Sequence, residues 1–161
     1  MAQVTVTVDA NRALAKLDRI PLEVRNSLRA VIPDLTKQLG ALVNQKLDTG
    51  LKSRTRIQVK QELVENPRNI YGRVAAIWTG DPKASMVPQV LESGARAHEI
   101  VAVNASALAF FWPKVGKMVF FKRVMHPGFS GIFYMRDAFI EMRGKIVPKI
   151  RDAVKAGMSN V

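Results

Sequence analysis

Any chemistry this chain performs must come from a short inventory of residues. It contains two histidines, His98 and His126, and no cysteine. With Glu92 or Glu99 these are residue types that hold zinc, but no spacing among them matches a ligand pattern. The histidines lie far apart in the sequence, each in a loop-like context, and His126 before Pro127-Gly128 reads as a turn residue. Gly116, Gly128 and Gly131 are scattered among aromatics, not gathered at a strand-to-helix junction where a phosphate would bind. Ser93-Gly94 has no nucleophile-elbow sequence around it and no histidine-and-acid framework. Glu62 and Glu65 fall beside a predicted turn, where solvated charge is the default. The inventory predicts no enzyme activity, no cofactor and no metal.

Charge is the stronger signal. The 161 residues carry 25 basic and 13 acidic side chains, a formal surplus of +12, which makes nucleic acid or another acidic surface a candidate partner. The surplus is +6 over residues 1–60, +1 over 61–120 and +5 over 121–161, so it follows the regions that read as helical. Its densest patch is Lys52, Arg54, Arg56 and Lys60, with no acid between Asp48 and Glu62. Such a run is a solvated or protein-contacting face, or a site of direct DNA contact. Phe120-Phe121-Lys122-Arg123 interleaves rings and cations as a single-strand binder does, but a core strand ending in basic residues has the same composition. No helix-turn-helix, zinc-finger or RNA-recognition signature accompanies it, so charge alone supports non-specific contact.

The elements that position these residues follow from periodicity. The length suits a single domain, 1–161, with an ordinary core. There is no apolar run of the roughly 18 residues that a membrane helix needs, and no membrane partner is expected. The first residues lack a secretory leader and alternate as a strand through Val4, Val6 and Val8. A short helix is predicted over 10–20. A long amphipathic helix follows from Pro21, with Leu28, Ile32, Leu35, Leu39, Leu42 and Leu47 on one stripe, a kink or break at Pro33, and a stop at Gly50. Alternation from Thr55 to Lys60, a turn at Asn66-Pro67-Arg68-Asn69 and a returning strand from Ile70 to Trp78 predict a hairpin. Val87 to Ser93 reads as a single helical turn. Ala95 to Ala107 has no clear period. A second hairpin runs from Leu108 to Trp112 and back from Met118 to Val124, and a last helix spans Phe133 to about Gly157. The order predicts an α+β fold: an antiparallel sheet of about four to five strands, with the long N-terminal helix and the C-terminal helix on one face. Flexible arms are expected at 51–56, 80–90 and 94–107.

All seven phenylalanines lie between Phe110 and Phe139, with Trp112 and Tyr134 among them. The simplest expectation is a core between sheet and last helix. Adjacent pairs such as Phe110-Phe111 and Phe120-Phe121 complicate it, because neighbours on a strand point to opposite faces and one ring of each pair then needs another cover.

Four segments, taken in order, resemble a known family. Asp48-Thr49-Gly50-Leu51 is similar to the end of its long first helix. Leu91-Glu92-Ser93-Gly94-Ala95-Arg96-Ala97-His98 resembles its aliphatic-Glu-aromatic-Gly-Thr segment with a basic residue and Ala-His. Val124-Met125-His126-Pro127-Gly128 is similar to its His-Pro-Gly loop, and Phe133-Tyr134-Met135-Arg136-Asp137-Ala138 to its entry into the last helix. The family is the phage tail-component and head–tail joining group that includes minor tail protein Z. Ser93, Ala95, Ile132 and Asp137 depart from its usual residues. The resemblance implies a virion protein of the neck or tail, assembled in the host cytoplasm and acting in tail completion and head–tail joining. It implies a six- or twelve-fold ring of copies against neck, connector or tail-tube proteins. Lys52, Arg54, Arg56, Arg96 and His98 are the candidates for contacts between subunits or with DNA in the channel. The alternative is a small basic non-specific nucleic-acid-binding protein.

Overall fold

The computed structural model describes residues 4–9, 22–51, 56–66 and 69–159. The predicted helix over 10–20 lies outside the described residues, as do Lys52 and Arg54. The fold is α+β as expected.

Helix α1 runs from Leu22 to Gly50. Val24, Leu28, Ile32, Leu35, Leu39, Val43 and Leu47 recur every three or four residues, and all are buried. Of the kink or break expected at Pro33 the break is absent: the helix continues through it. Proline there costs about 3 kcal/mol. The stripe is buried on both sides of Pro33, Val24, Leu28 and Ile32 in one cluster and Leu35 to Leu47 in another, and each buried aliphatic side chain returns roughly 1.5–3 kcal/mol.

Strand β1 (Val4–Asp9), strand β2 (Ile57–Glu65) and strand β3 (Ile70–Trp78) form an antiparallel sheet in the order β1-β3-β2, with Ile57 opposite Trp78 and Glu65 opposite Ile70. The predicted first hairpin is therefore present. Ile70, Val74 and Ala76 lie on the face that meets α1, and this face supplies the sheet's share of the core. The outer face carries Arg73, with its guanidinium over the Tyr71 ring and 3.6 Å from Glu62. Arg25 and Arg29, in the first turns of α1, both bind Glu65 at the end of β2 and fix the helix start to the sheet.

The segment 80–90 forms no extended arm. Pro82–Ala84 is a 3-10 turn capped by the Asp81 carboxylate, and helix α2 (Val87–Ser93) follows with Pro88 buried. Helix α3 (Tyr134–Ser159) lies along α1. Its stripe of Tyr134, Met135, Ala138, Met142 and Ile146 joins the Leu35–Leu47 stripe and Val74 in one core.

Between α2 and α3 the chain leaves the body. Strands β4 (Gly94–Ala95), β5 (His98–Val101), β6 (Leu108–Trp112), β7 (Lys117–Phe121), β8 (Arg123–His126) and β9 (Phe129–Ser130) pair outermost with outermost: β4 with β9, β5 with β8, and β6 with β7. They form one long two-stranded ribbon with interruptions. The predicted single sheet of four to five strands is thus divided, three strands under the helices and six in the ribbon. The stretch 95–107, with no readable period, is one leg of that ribbon.

Candidate docking arm and its junction with the body

The ribbon is anchored where three of the four quoted segments meet. The Ile132 and Phe133 amides donate to the carbonyls of Leu91 and Glu92, at 2.8 and 3.2 Å. Gly94 pairs with Ser130, and Ala95 with Phe129. The Glu92 carboxylate, at the end of α2, accepts from the amides of Met135 and Arg136 at 2.8 and 2.9 Å. First-turn amides have no partner within their own helix, and negative charge there is favoured by the helix dipole. Glu92 thus caps α3 from 43 residues earlier in the chain. The Arg136 guanidinium lies 3.7 Å from the Phe133 ring centroid. The buried Tyr134 hydroxyl donates to the Pro88 carbonyl at 3.1 Å. Glu92, weighed from sequence as a metal ligand and quoted as part of the Leu91–His98 segment, has a positioning role here. Nothing local in the sequence reveals a cap supplied from that distance.

Two expectations follow. Glu92→Ala leaves two amides uncapped and should cost about 1–2 kcal/mol. For a chain of this size that lowers the melting temperature by roughly 2–4 °C per kcal/mol. Thermal unfolding followed by circular dichroism checks it, and an unchanged midpoint contradicts the capping role. The second concerns pH. Burial, reinforced by the Glu92 charge, raises the Tyr134 hydroxyl well above its ordinary range. A group raised in the folded state contributes its stability fully below the unfolded value of about 10, and loses it as pH rises from there towards the folded value. Urea midpoints should therefore fall above about pH 10, and Tyr134→Phe should flatten that fall.

The arm's strand alternation sorts its side chains cleanly. Cross-strand pairs share a face, so Leu108, Phe110 and Trp112 lie with Phe121, Val119 and Lys117, while Ala109 and Phe111 lie with Phe120 and Met118. On the first face the rings of Phe110, Trp112 and Phe121 stand 6.1–6.4 Å apart and shield one another in part. The second face carries no charge and is open: Phe111 is 58% exposed and Phe120 68%. Of seventeen large hydrophobic residues exposed among the described ones, eleven lie between Ile100 and Phe129. The arm's strands pack chiefly on each other; none lies along the sheet, α1 or α3. The expectation of a core between sheet and last helix is corrected accordingly. Of the nine aromatics in that region, Tyr134 is in the core and Phe139 packs against it, while the rings of the hairpin stand off the body. Isolated two-stranded hairpins are marginal in water. An arm apolar on both faces therefore calls for a cover that the described residues of its own subunit do not supply.

The two histidines, distant in sequence, are neighbours in space. His98 is opposite His126 in the β5–β8 ladder, and the rings stack with centroids 5.1 Å apart. The His98 Nδ1 lies 2.8 Å from the Arg96 carbonyl and so donates, while the His126 Nδ1 accepts from the Gly128 amide at 3.1 Å. Glu99 projects from the other face and lies 3.5 Å from Arg123; Glu92 is held by α3. Among the described residues no three potential ligands come together for a metal. The pair thus forms the base of the arm. Arg96 and His98 are exposed there together, whereas Arg56 is at the start of β2, where its carbonyl accepts from the Thr79 amide at 2.8 Å.

Electrostatically the arm is basic. Arg96, Lys114, Lys117, Lys122 and Arg123 stand against one acid, Glu99. No described helix is long and apolar enough to cross a membrane. The chain matches no family model, no curated protein and no solved structure.

Proposed function

We propose that this chain is an assembly protein, a subunit whose arm is completed only by a neighbour. In particular, we read it as a structural virion protein of a tailed bacteriophage that acts in tail completion and head–tail joining. The observation that carries the reading is the uncovered apolar ribbon. A body with a packed core and a separate two-faced apolar arm suits a component that meets its partners late, when burial of the arm supplies the association energy. The resemblance of the ordered segments supports the particular role, and three of them converge on the junction that aims the arm. In this role copies form a ring at the neck, against connector or tail-tube proteins, and the protein is carried in the virion.

The test is complementation in an extract. Purified protein added to a lysate whose own copy of the gene carries an early stop should restore infectious particles. Failure to restore them, with the added protein folded, contradicts the joining role. The excess of cations on the arm favours a second reading, non-specific nucleic-acid binding. It predicts DNA affinity that falls steeply as salt rises.

A further inference from the structure

The arm leaves the body through a gap in its own ladder. Arg96 and Ala97 on one leg, and Pro127 and Gly128 on the other, belong to no strand. They separate the β4–β9 pair from the β5–β8 pair, and Pro127 has no N–H with which to bridge them. Gly128 turns the second leg with φ +78°, in the left-handed region that favours glycine. A side chain there would start 2.5 Å from the Ala95 carbonyl oxygen, so the two legs run close at the gap. Backbone groups where a ladder stops need other partners. Here imidazoles supply them. The His98 Nδ1–H donates to the Arg96 carbonyl at 2.8 Å, and the His126 Nδ1 accepts from the Gly128 amide at 3.1 Å. The rings then stack on each other, joining leg to leg just beyond the gap.

The two clamps respond differently to a proton. Neutral His98 carries its hydrogen on Nδ1 and keeps a lone pair at Nε2, so a second proton leaves its bond to Arg96 intact. Neutral His126 carries its hydrogen on Nε2. A second proton must go to Nδ1, the atom that holds the Gly128 amide. Two N–H groups then face each other and that bond is lost. His98 is exposed and His126 half-buried, so water reaches both rings. The surrounding charges add to the effect. On the same face of the ribbon, Arg96 lies two residues before His98. Lys122, whose carbonyl accepts from the Ala102 amide, lies on that face four residues before His126. Glu99 and Arg123 pair on the opposite face, and Glu92 is held by the amides of α3. Among the described residues of these strands no carboxylate offsets a pair of imidazolium rings, which would repel across the stack.

We infer that His98 and His126 form a pH-sensitive clamp on a hinge at the root of the arm, closed while His126 is neutral and released when it is protonated. The imidazole is the side chain that changes charge between about pH 5 and 8. The closed hinge keeps one proton on His126, and the open hinge admits a second. Closure is therefore fully favoured above the ordinary histidine value of about 6.5 and is lost as pH falls below it. The opening equilibrium should grow about tenfold from about pH 7.5 to about pH 5.5. The inference concerns how the arm is held, and it stands whatever surface finally covers the arm.

The test is hydrogen exchange of the full chain, read by mass spectrometry and corrected for the intrinsic pH dependence of amide exchange. Peptides spanning 94–101 and 123–130 should open about tenfold more at the lower pH, while α1 and β3 stay unchanged. His126→Asn places an amide oxygen where Nδ1 stands and takes no proton, so the rise should vanish with the hinge still closed. His98→Asn keeps a donor for the Arg96 carbonyl, and the rise should persist because the switching proton belongs to His126. Nuclear magnetic resonance of the wild-type chain needs no variant. Its imidazole nitrogen–proton spectra should show neutral His126 with the hydrogen on Nε2, and the Gly128 amide resonance should move as that ring titrates. Equal opening at the two pH values would overturn the inference. So would a rise that survives His126→Asn or is lost in His98→Asn, a neutral His126 with its hydrogen on Nδ1, or a Gly128 resonance that stays still. The joining role is tested separately by extract complementation.

Discussion

Phe111→Ser/Phe120→Ser protein is expected to fold with an unchanged melting temperature and to leave heads and tails unjoined. Both rings lie on the arm's open face, outside the core that holds α1, α3 and the sheet together, so their loss removes little from the fold. Their effect falls on assembly. Central aromatic anchors are commonly worth about 2 kcal/mol or more each when truncated. Two of them correspond to a docking affinity lower by a factor of roughly 100 to 1,000. Extract complementation with the variant reads this directly as a loss of infectious particles. Circular dichroism on the same sample separates lost assembly from lost folding. The expectation fails if the variant complements as well as wild type.

Gly131→Val is expected to do the reverse and damage the subunit itself. A side chain there would start against the Glu92 carbonyl and only 2.7 Å from the Gly94 amide nitrogen. Both neighbours are backbone atoms and cannot swing aside. Forcing α2 away from the start of α3 also pulls the Glu92 carboxylate off the Met135 and Arg136 amides. It would separate the Tyr134 hydroxyl from the Pro88 carbonyl as well. Overpacking of about 1–3 kcal/mol, together with a lost cap of about 1–2, gives a destabilisation of roughly 2–5 kcal/mol. That is a large part of the roughly 5–15 kcal/mol that holds a domain together. The melting temperature should fall by about 10 °C. Thermal unfolding checks it, and a loss under about 2 °C would mean that the crossing is not tightly packed.

What the sequence discloses and what it hides divide along physical lines. The α1 stripe is legible because its partners are set by a helical period, so Leu28 to Leu47 could be read as one face without knowing what covers it. The hairpin of Ile57–Glu65 and Ile70–Trp78 is legible because alternation and a strong turn signal are both local. Pro33 does not divide the helix, because propensity weighs one residue, while burial on both sides of it belongs to the whole helix. The phenylalanine cluster misleads for a related reason. Composition shows that Phe110 to Phe121 are apolar but not whether the cover comes from the same chain, and exposure is a property of the finished fold. The pairing of His98 with His126 depends on a ladder that closes across a long excursion. It could not be found from their spacing. Glu92 is the clearest case of a position quoted for its place in a motif whose physical task, capping α3, became readable only in three dimensions.

Electron microscopy of a lysate in which this gene carries an early stop tests the central claim most directly. The joining role predicts filled heads and free tails lying separately, with tails of uniform length if joining follows tail completion. Normal infectious particles in that lysate would contradict it.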